Sequence, residues 1–173
     1  MVQETHTLII GASFSGLASA ATLKKNGIEH LIIEKEGQVG TPWRNHYHRL
    51  HLHTNKNLSN LPYKKFGRHI PRYPGRQQVV DYLEDYQREF NINPIFNTEA
   101  TSITKQGNRW TTETSNGVFK SKYLVIATGP YSKPKPIHFK GMETFPGNIL
   151  HSYGYKTGKD FKRKKVLVVG FGN

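Results

Sequence analysis

The chain has no cysteine among its 173 residues, which excludes disulfides, thiolate metal sites and redox-active cysteine pairs from this stretch. Long apolar runs are missing as well. No segment approaches the ~20 residues that span a bilayer, and the N-terminal residues lack the pattern of a secretory leader. These absences set the expectation of a soluble, cytoplasmic chain with no membrane partner. Hydrophobic residues make up only 35%, low for a self-contained domain, although nine Tyr and nine Phe partly offset the shortage. The expectation is a sheet-centred core, part of which something outside this chain covers. Acidic residues are scarce too, 12 against 25 Lys and Arg, for a net charge of +13. The basic residues gather at 64–76, 133–135 and 156–165. Nucleic acid and phosphorylated cofactors are the functional readings of such charge. No helix-turn-helix, zinc or RNP pattern accompanies it, and the basic residues are not interleaved with aromatics. The charge therefore reads as a solvated surface, or as one half of a protein whose acidic half is absent, and no nucleic acid is expected.

The most organised stretch is residues 5–34. An apolar run, Leu8, Ile9 and Ile10, stops at Gly11 and is followed by Ala12, Ser13, Phe14, Ser15 and Gly16. A helical stretch with Leu17, Ala18, Ala20, Ala21 and Leu23 closes at Asn26 and Gly27, and a second apolar run (31–33) ends in Glu34. This strand–turn–helix–strand order, with an acid 23 positions after the first glycine, is the layout of a dinucleotide fold. The first glycine permits the tight turn and the last lets helix and strand pack closely. Amide groups at the helix start can hold a pyrophosphate, and Glu34 can accept both hydroxyls of a ribose. Ser13 replaces the middle glycine of the fingerprint; it adds little bulk and its hydroxyl can donate to phosphate.

Beyond Lys35 a Gly-rich loop brings in Pro42, Trp43 and Arg44, where a tryptophan packs on something flat, either core or a cofactor ring. His46, His48, His51 and His53 follow, the last two alternating with Leu50 and Leu52 as in a strand with one apolar face. No carboxylate lies near them in sequence, so no metal is expected. Residues 58–75 read as an irregular excursion broken by three prolines, and 77–90 as a packing helix on Val79, Val80, Leu83, Tyr86 and Phe90. Short strands and turns fill 95–127, with Asn116-Gly117 as a hairpin signal. The last of these strands ends in Ala127, Thr128 and Gly129, where the backbone is expected to approach something closely. A Pro/Lys-rich linker (131–144) leads towards a final apolar run that delivers into Gly170 and Gly172, the opening of a second dinucleotide turn. That ending suggests a piece of a longer protein with two nucleotide folds.

Gly11-x-Ser-x-x-Gly16 with Glu34, Ala127-Thr-Gly129 and the Gly-x-Gly at Gly170 together resemble the two-dinucleotide flavoprotein plan. Between them, Phe145-x-Gly147-x-x-x-His151-x-x-x-Tyr155 is similar at every fixed position to the identifying motif of flavin-containing monooxygenases. The resemblance covers nearly the whole chain, with Trp43-Arg44 where the family has a Gly-Gly-x-Trp loop and Val39 in place of one glycine. It implies an α/β, Rossmann-like three-layer FAD-binding domain over 1–155, with a parallel sheet and a small antiparallel insert. A second, NADPH-binding fold would then begin at 156–173. It also implies an oxidoreductase in which NADPH reduces FAD, O2 adds at the flavin C4a carbon, and one oxygen passes to a small organic substrate. Baeyer–Villiger members carry Trp where Tyr155 stands, so the resemblance leans to N/S-oxidising or plant-type indole-pyruvate members.

The site residues implied are as follows. Gly11, Ala12, Ser13, Phe14, Ser15 and Gly16 hold the FAD pyrophosphate, and Glu34 and Lys35 lie at the adenosine ribose. Pro42, Trp43, Arg44, His53 and Thr54 line the flavin end, and Ala127, Thr128 and Gly129 lie at the strand end beside FAD. His151 and Tyr155 connect the two folds, and Gly170 and Gly172 open the second. Many members place an Asn on the oxygen side of the flavin; the aligned residue here is His53, and Asn55 serves if the register slips by two. Substrate and O2 are the expected partners, and a homo-oligomer is compatible with the sequence. The alternatives are a flavin-dependent NAD(P)H reductase of the same plan, disfavoured by the missing cysteine pair, or a non-catalytic nucleotide-binding module. The 173-residue chain alone is expected to have little or no turnover.

Overall fold

The computed structural model describes residues 2–130 and 134–170. The two apolar runs become neighbouring parallel strands, β1 (Val2–Ile10) and β2 (His30–Ile33), with Leu8 opposite Leu31 and Ile10 opposite Ile33. Parallel strands need a crossover, and α1 (Phe14–Lys25) supplies it. The residues that α1 buries, Gly16, Leu17, Ala20 and Ala21, are mostly small, so the helix lies close on the sheet. Gly27 then takes φ 65°, the left-handed conformation that closes helices without a Cβ penalty.

A short helix α2 (Thr41–Asn45) and a longer one, α3 (Arg76–Glu89), precede an antiparallel meander of β3 (Ala100–Gln106), β4 (Arg109–Thr114) and β5 (Gly117–Ile126). All five strands form one sheet in the order β2-β1-β5-β4-β3. β5 is shared: residues 117–121 pair antiparallel with β4, while the strand runs parallel to β1 as far as Ile10 opposite Ile126. The antiparallel insert is therefore an extension of the parallel sheet, not a separate layer. A parallel bridge from Ile33 to Ile95 widens the other side.

Alternation along β1 divides the core. Ile9 joins Leu17, Ala20, Val79, Leu83 and Tyr86 in the larger cluster under the helices, while Leu8 and Ile10 join Ile33 and Phe119 in a smaller one. α3 buries Val79, Val80, Leu83 and Tyr86 as its spacing requires, and Tyr82 besides.

Local expectations shift in four places. The hairpin tip is Ser115-Asn116, because Gly117 pairs with Thr114 as the first residue of β5, and the Asn116 amide donates to Asn97 O at 2.8 Å. Trp43 sits on α2 rather than in an open loop; Pro42 is tolerated in a first turn. Residues 46–53 form no strand beyond a single bridge from His51 to Gly75, although Leu50 is buried and both His51 and His53 are exposed. The run at 165–170 pairs with no strand among the described residues, and Leu167 is 87% exposed. Residues 131–133 of the linker and Gly172 lie outside the described residues. Among those described, no helix is long and apolar enough to cross a membrane.

Candidate functional site

Three strand ends converge on the Gly11 turn. Gly11 N donates to Ile33 O at 2.8 Å and Ala127 N to Ile10 O at 2.9 Å, so β1, β2 and β5 finish at one level. Gly11 has φ 104°, and a Cβ there would lie 2.6 Å from Ala127 O. A Cβ on Gly16 would lie 1.8 Å from Gly11 O. Only glycine fits either position, and the start of α1 is thereby pressed onto the turn.

What the turn presents is a set of donors. By position, the N–H groups of Phe14, Ser15 and Gly16 are those a helix leaves without an intrahelical acceptor. Ser13 is the extended N-cap residue, yet its hydroxyl makes no capping bond, and the first turn of α1 holds no acid. Donors, a helix dipole and an unengaged hydroxyl together suit an anion.

Glu34 closes the turn from β2. Only 8% exposed, it accepts from Ala12 N at 2.7 Å through Oε2 and from Glu36 N at 3.0 Å through Oε1. Each carboxylate oxygen retains acceptor capacity for a further hydroxyl. The Ala12 carbonyl accepts from Gly40 N at 3.1 Å, so this peptide is held at both ends. Gly40 is the cradle residue that sequence reasoning passes over. Its φ is 68° and a Cβ would lie 2.9 Å from Leu83 Cδ1, but the only signal in the sequence is a glycine among loop residues. Lys35 is exposed and pairs at 3.9 Å with Glu36.

The surrounding residues divide by what they touch. Trp43 packs against Phe14, with ring centroids 5.9 Å apart, and so stands beside the start of α1; Pro42 is exposed. Arg44 is held by neighbours within the chain. Its Nε donates to Val39 O at 3.1 Å and its guanidinium pairs with Glu84 of α3, while Arg76 donates to its carbonyl at 2.5 Å. Thr128 and Gly129 are exposed, and a Cβ on Gly129 would meet nothing within 4 Å. Within the chain, the close approach expected at Gly129 falls instead at Ala127; Gly129 has a conformational requirement, φ 73°.

The Asn55 side chain accepts from Asn57 N at 3.0 Å and caps the 3-10 turn Lys56–Leu58, and Thr54 Oγ1 lies 2.6 Å from Ser59 Oγ. His53 is exposed and has no hydrogen-bond partner among the described residues. In the 145–155 motif, His151 Nδ1 accepts from Tyr153 N at 3.0 Å, and Tyr155 packs between Tyr47 and Phe161, each 5.9 Å away. His48 N donates to Lys156 O at 2.9 Å and the Lys156 ammonium donates to Asn45 O, so this segment folds back on residues 45–48. Burial, with the Lys156 charge second, lowers the pKa of His46. Gly170 is exposed with φ 112° and lies in an unpaired stretch. No group of three or more His, Cys, Asp or Glu suited to a metal occurs among the described residues.

Comparison with known proteins places this geometry. The chain is 38% identical to a probable indole-3-pyruvate monooxygenase, YUCCA4, of Arabidopsis thaliana over 169 residues, which is 96% of this chain and 41% of that protein. It is 40% identical to indole-3-pyruvate monooxygenase YUCCA6 of the same plant, over 98% of this chain and 43% of the relative. It thus spans about two fifths of the length of these relatives. A flavin-containing monooxygenase structure from Stenotrophomonas maltophilia superposes with a TM-score of 0.83 at 25% identity, covering 92% of this chain and 48% of that one. A family profile described as pyridine nucleotide-disulphide oxidoreductase matches residues 8–173. The chain belongs to that family and, within it, to the flavin-containing monooxygenases.

Proposed function

We propose that the Gly11–Gly16 turn holds the pyrophosphate of FAD and that Glu34 takes its adenosine ribose. The whole protein is then an FAD- and NADPH-dependent monooxygenase that transfers one oxygen atom from O2 to a small organic substrate. The observation that carries this reading is the Glu34 carboxylate held 2.7 Å from Ala12 N, which sets a buried acid against the same turn that presents the helix amides. An apolar or basic residue there would leave the ribose without an acceptor, and an acid on α1 would repel the phosphates.

FAD, when bound, supplies the electron acceptance from NADPH and the reactivity towards O2. The chain supplies placement. The amides of Phe14, Ser15 and Gly16 and the Ser13 hydroxyl meet the phosphate charge. Phe14 and Trp43 form an aromatic wall that keeps water from the side of the helix start. Arg44 braces α2 against α3 through Glu84 at the flavin end of the site. With the Asn55 carboxamide oxygen capping a turn, His53 offers the freer donor for the oxygen side of the flavin. Residues 1–155 form the FAD domain. His151 and Tyr155 tie it to an NADPH fold that opens at Gly170 and Gly172. Substrates are an N or S heteroatom or a 2-oxo acid, the latter favoured by relatives named for indole-3-pyruvate.

The test is colour and stoichiometry. The purified chain is expected to retain FAD through gel filtration, and Glu34→Ala to lose it. A folded wild-type chain that stays colourless in excess FAD would overturn the reading. NADPH oxidation is expected of the longer protein and to be slight in the 173-residue chain; robust turnover by the chain itself would contradict the domain assignment.

A further inference from the structure

Lys56 is a half-buried cation whose ammonium is turned onto the backbone. Its Nζ donates to the carbonyls of Gly67 at 3.0 Å, Arg68 at 3.2 Å and Ile70 at 2.5 Å, and its backbone N–H donates to Arg72 O at 2.9 Å. An ammonium has three protons, and here each has an acceptor. Among the described residues no carboxylate shares this position. The charge is spent on backbone carbonyls, which makes it a conformational restraint and not half of an ion pair. The chain it restrains runs on into residues 72–74, which are hydrogen-bonded to Leu52 and Lys56 on either side of a proposed site residue. His53 stands three positions upstream, in a stretch with no strand ladder, and Asn55 caps the very turn that Lys56 begins. Leu52 N to Pro74 O, at 2.8 Å, is the tie on the other side of His53.

We infer that Lys56 is a positioning residue: by clamping the 67–72 segment from behind, it fixes the 53–55 segment and with it the His53 imidazole. What His53 faces rests on the FAD reading; the clamp itself rests on the hydrogen bonds.

Lys56→Met keeps most of the unbranched side chain and removes its donors, Lys56→Arg keeps donors, and Lys56→Gln is the milder loss should the Met variant not fold. Three readouts are taken on the chain: trypsin cleavage after Lys65, Arg68 or Arg72 under native conditions, the NMR signal of the His53 ring, and the visible spectrum of bound FAD. Loss of the clamp is expected to speed cleavage about tenfold or more, through local opening, and to move the His53 signal and the flavin band, while far-UV circular dichroism stays unchanged. Arg is expected to restore all three. Cleavage at the wild-type rate with an unmoved His53 signal in the Met or Gln variant would overturn the inference, as would an Arg variant as perturbed as Met. A wild-type chain that binds no FAD defeats the FAD reading, and cleavage with the His53 signal then decides Lys56.

Discussion

Glu34 holds the turn together as well as facing the crevice, since its two oxygens already accept from Ala12 N and Glu36 N. Replacing one oxygen by an amide in Glu34→Gln keeps the shape but turns an acceptor into a donor against those N–H groups. The expected loss is about 1.5–3 kcal/mol, or roughly 10–100-fold in FAD affinity, read by fluorescence titration; unchanged affinity would place the ribose elsewhere. Glycines give a second contrast. Gly16→Ala puts a Cβ 1.8 Å from a backbone oxygen, whereas Gly27→Ala meets nothing within 4 Å and strains only its φ of 65°. Urea unfolding should show about 1–2 kcal/mol lost at Gly27 and about 3 kcal/mol or more at Gly16, if Gly16→Ala folds at all. At this scale the sequence is legible where the chemistry is local. Gly11, Gly16 and Glu34 could be read because their roles follow from spacing within one crossover. Arg44 could not, because its partner Glu84 is 40 positions away and nothing near Arg44 announces it.

Among the elements, α3 does more than pack. Tyr82 OH accepts from Leu61 N at 2.7 Å and donates to Lys64 O at 2.8 Å, Tyr86 OH donates to Pro62 O at 3.0 Å, and the Tyr82 ring stacks on Phe66 at 3.9 Å. The 58–75 excursion is thus pinned to one face of a helix. Its course was unreadable from sequence because turn residues say that the chain bends, while the hydroxyls that decide where it bends belong to α3. Tyr82→Phe strands a donor and an acceptor and should cost about 2–3 kcal/mol, against about 1 kcal/mol for Tyr86→Phe, compared by urea midpoints. Burial, as the largest cause, raises the pKa of both phenols above the usual 10. A raised folded pKa means this stabilisation is complete below the unfolded value and declines as pH rises past it. Stability should therefore fall with pH from about 10 upward, and fall less steeply in either Phe variant. Equal slopes in wild type and variants would remove the tyrosines from the account.

At the scale of the molecule, the sheet was legible in its parts but not in its continuity. Alternating short strands announced an insert, yet only the pairing of β5 with both β1 and β4 makes insert and nucleotide fold a single sheet. Residues 166–169 read as a strand by composition and have none to pair with among the described residues, because an apolar run becomes a strand only beside another. The net charge of +13 poses the remaining question, whether an anionic dinucleotide is drawn to the cradle or merely to the surface. Specific binding stabilises the folded state by about 2.7 kcal/mol when FAD is present at a hundred times its Kd. In a domain of this size that corresponds to a rise of about 5–10 °C in Tm. Attraction to scattered surface lysines is screened as salt rises from about 0.05 to about 0.3 M, whereas amides at a partly buried helix start are screened far less. Most of the shift should therefore survive in high salt at a fixed multiple of Kd, and Glu34→Ala at the wild-type FAD concentration should show little of it. A thermal shift that salt abolishes, or that Glu34→Ala retains in full, would assign the binding to the basic surface instead of the turn at Gly11.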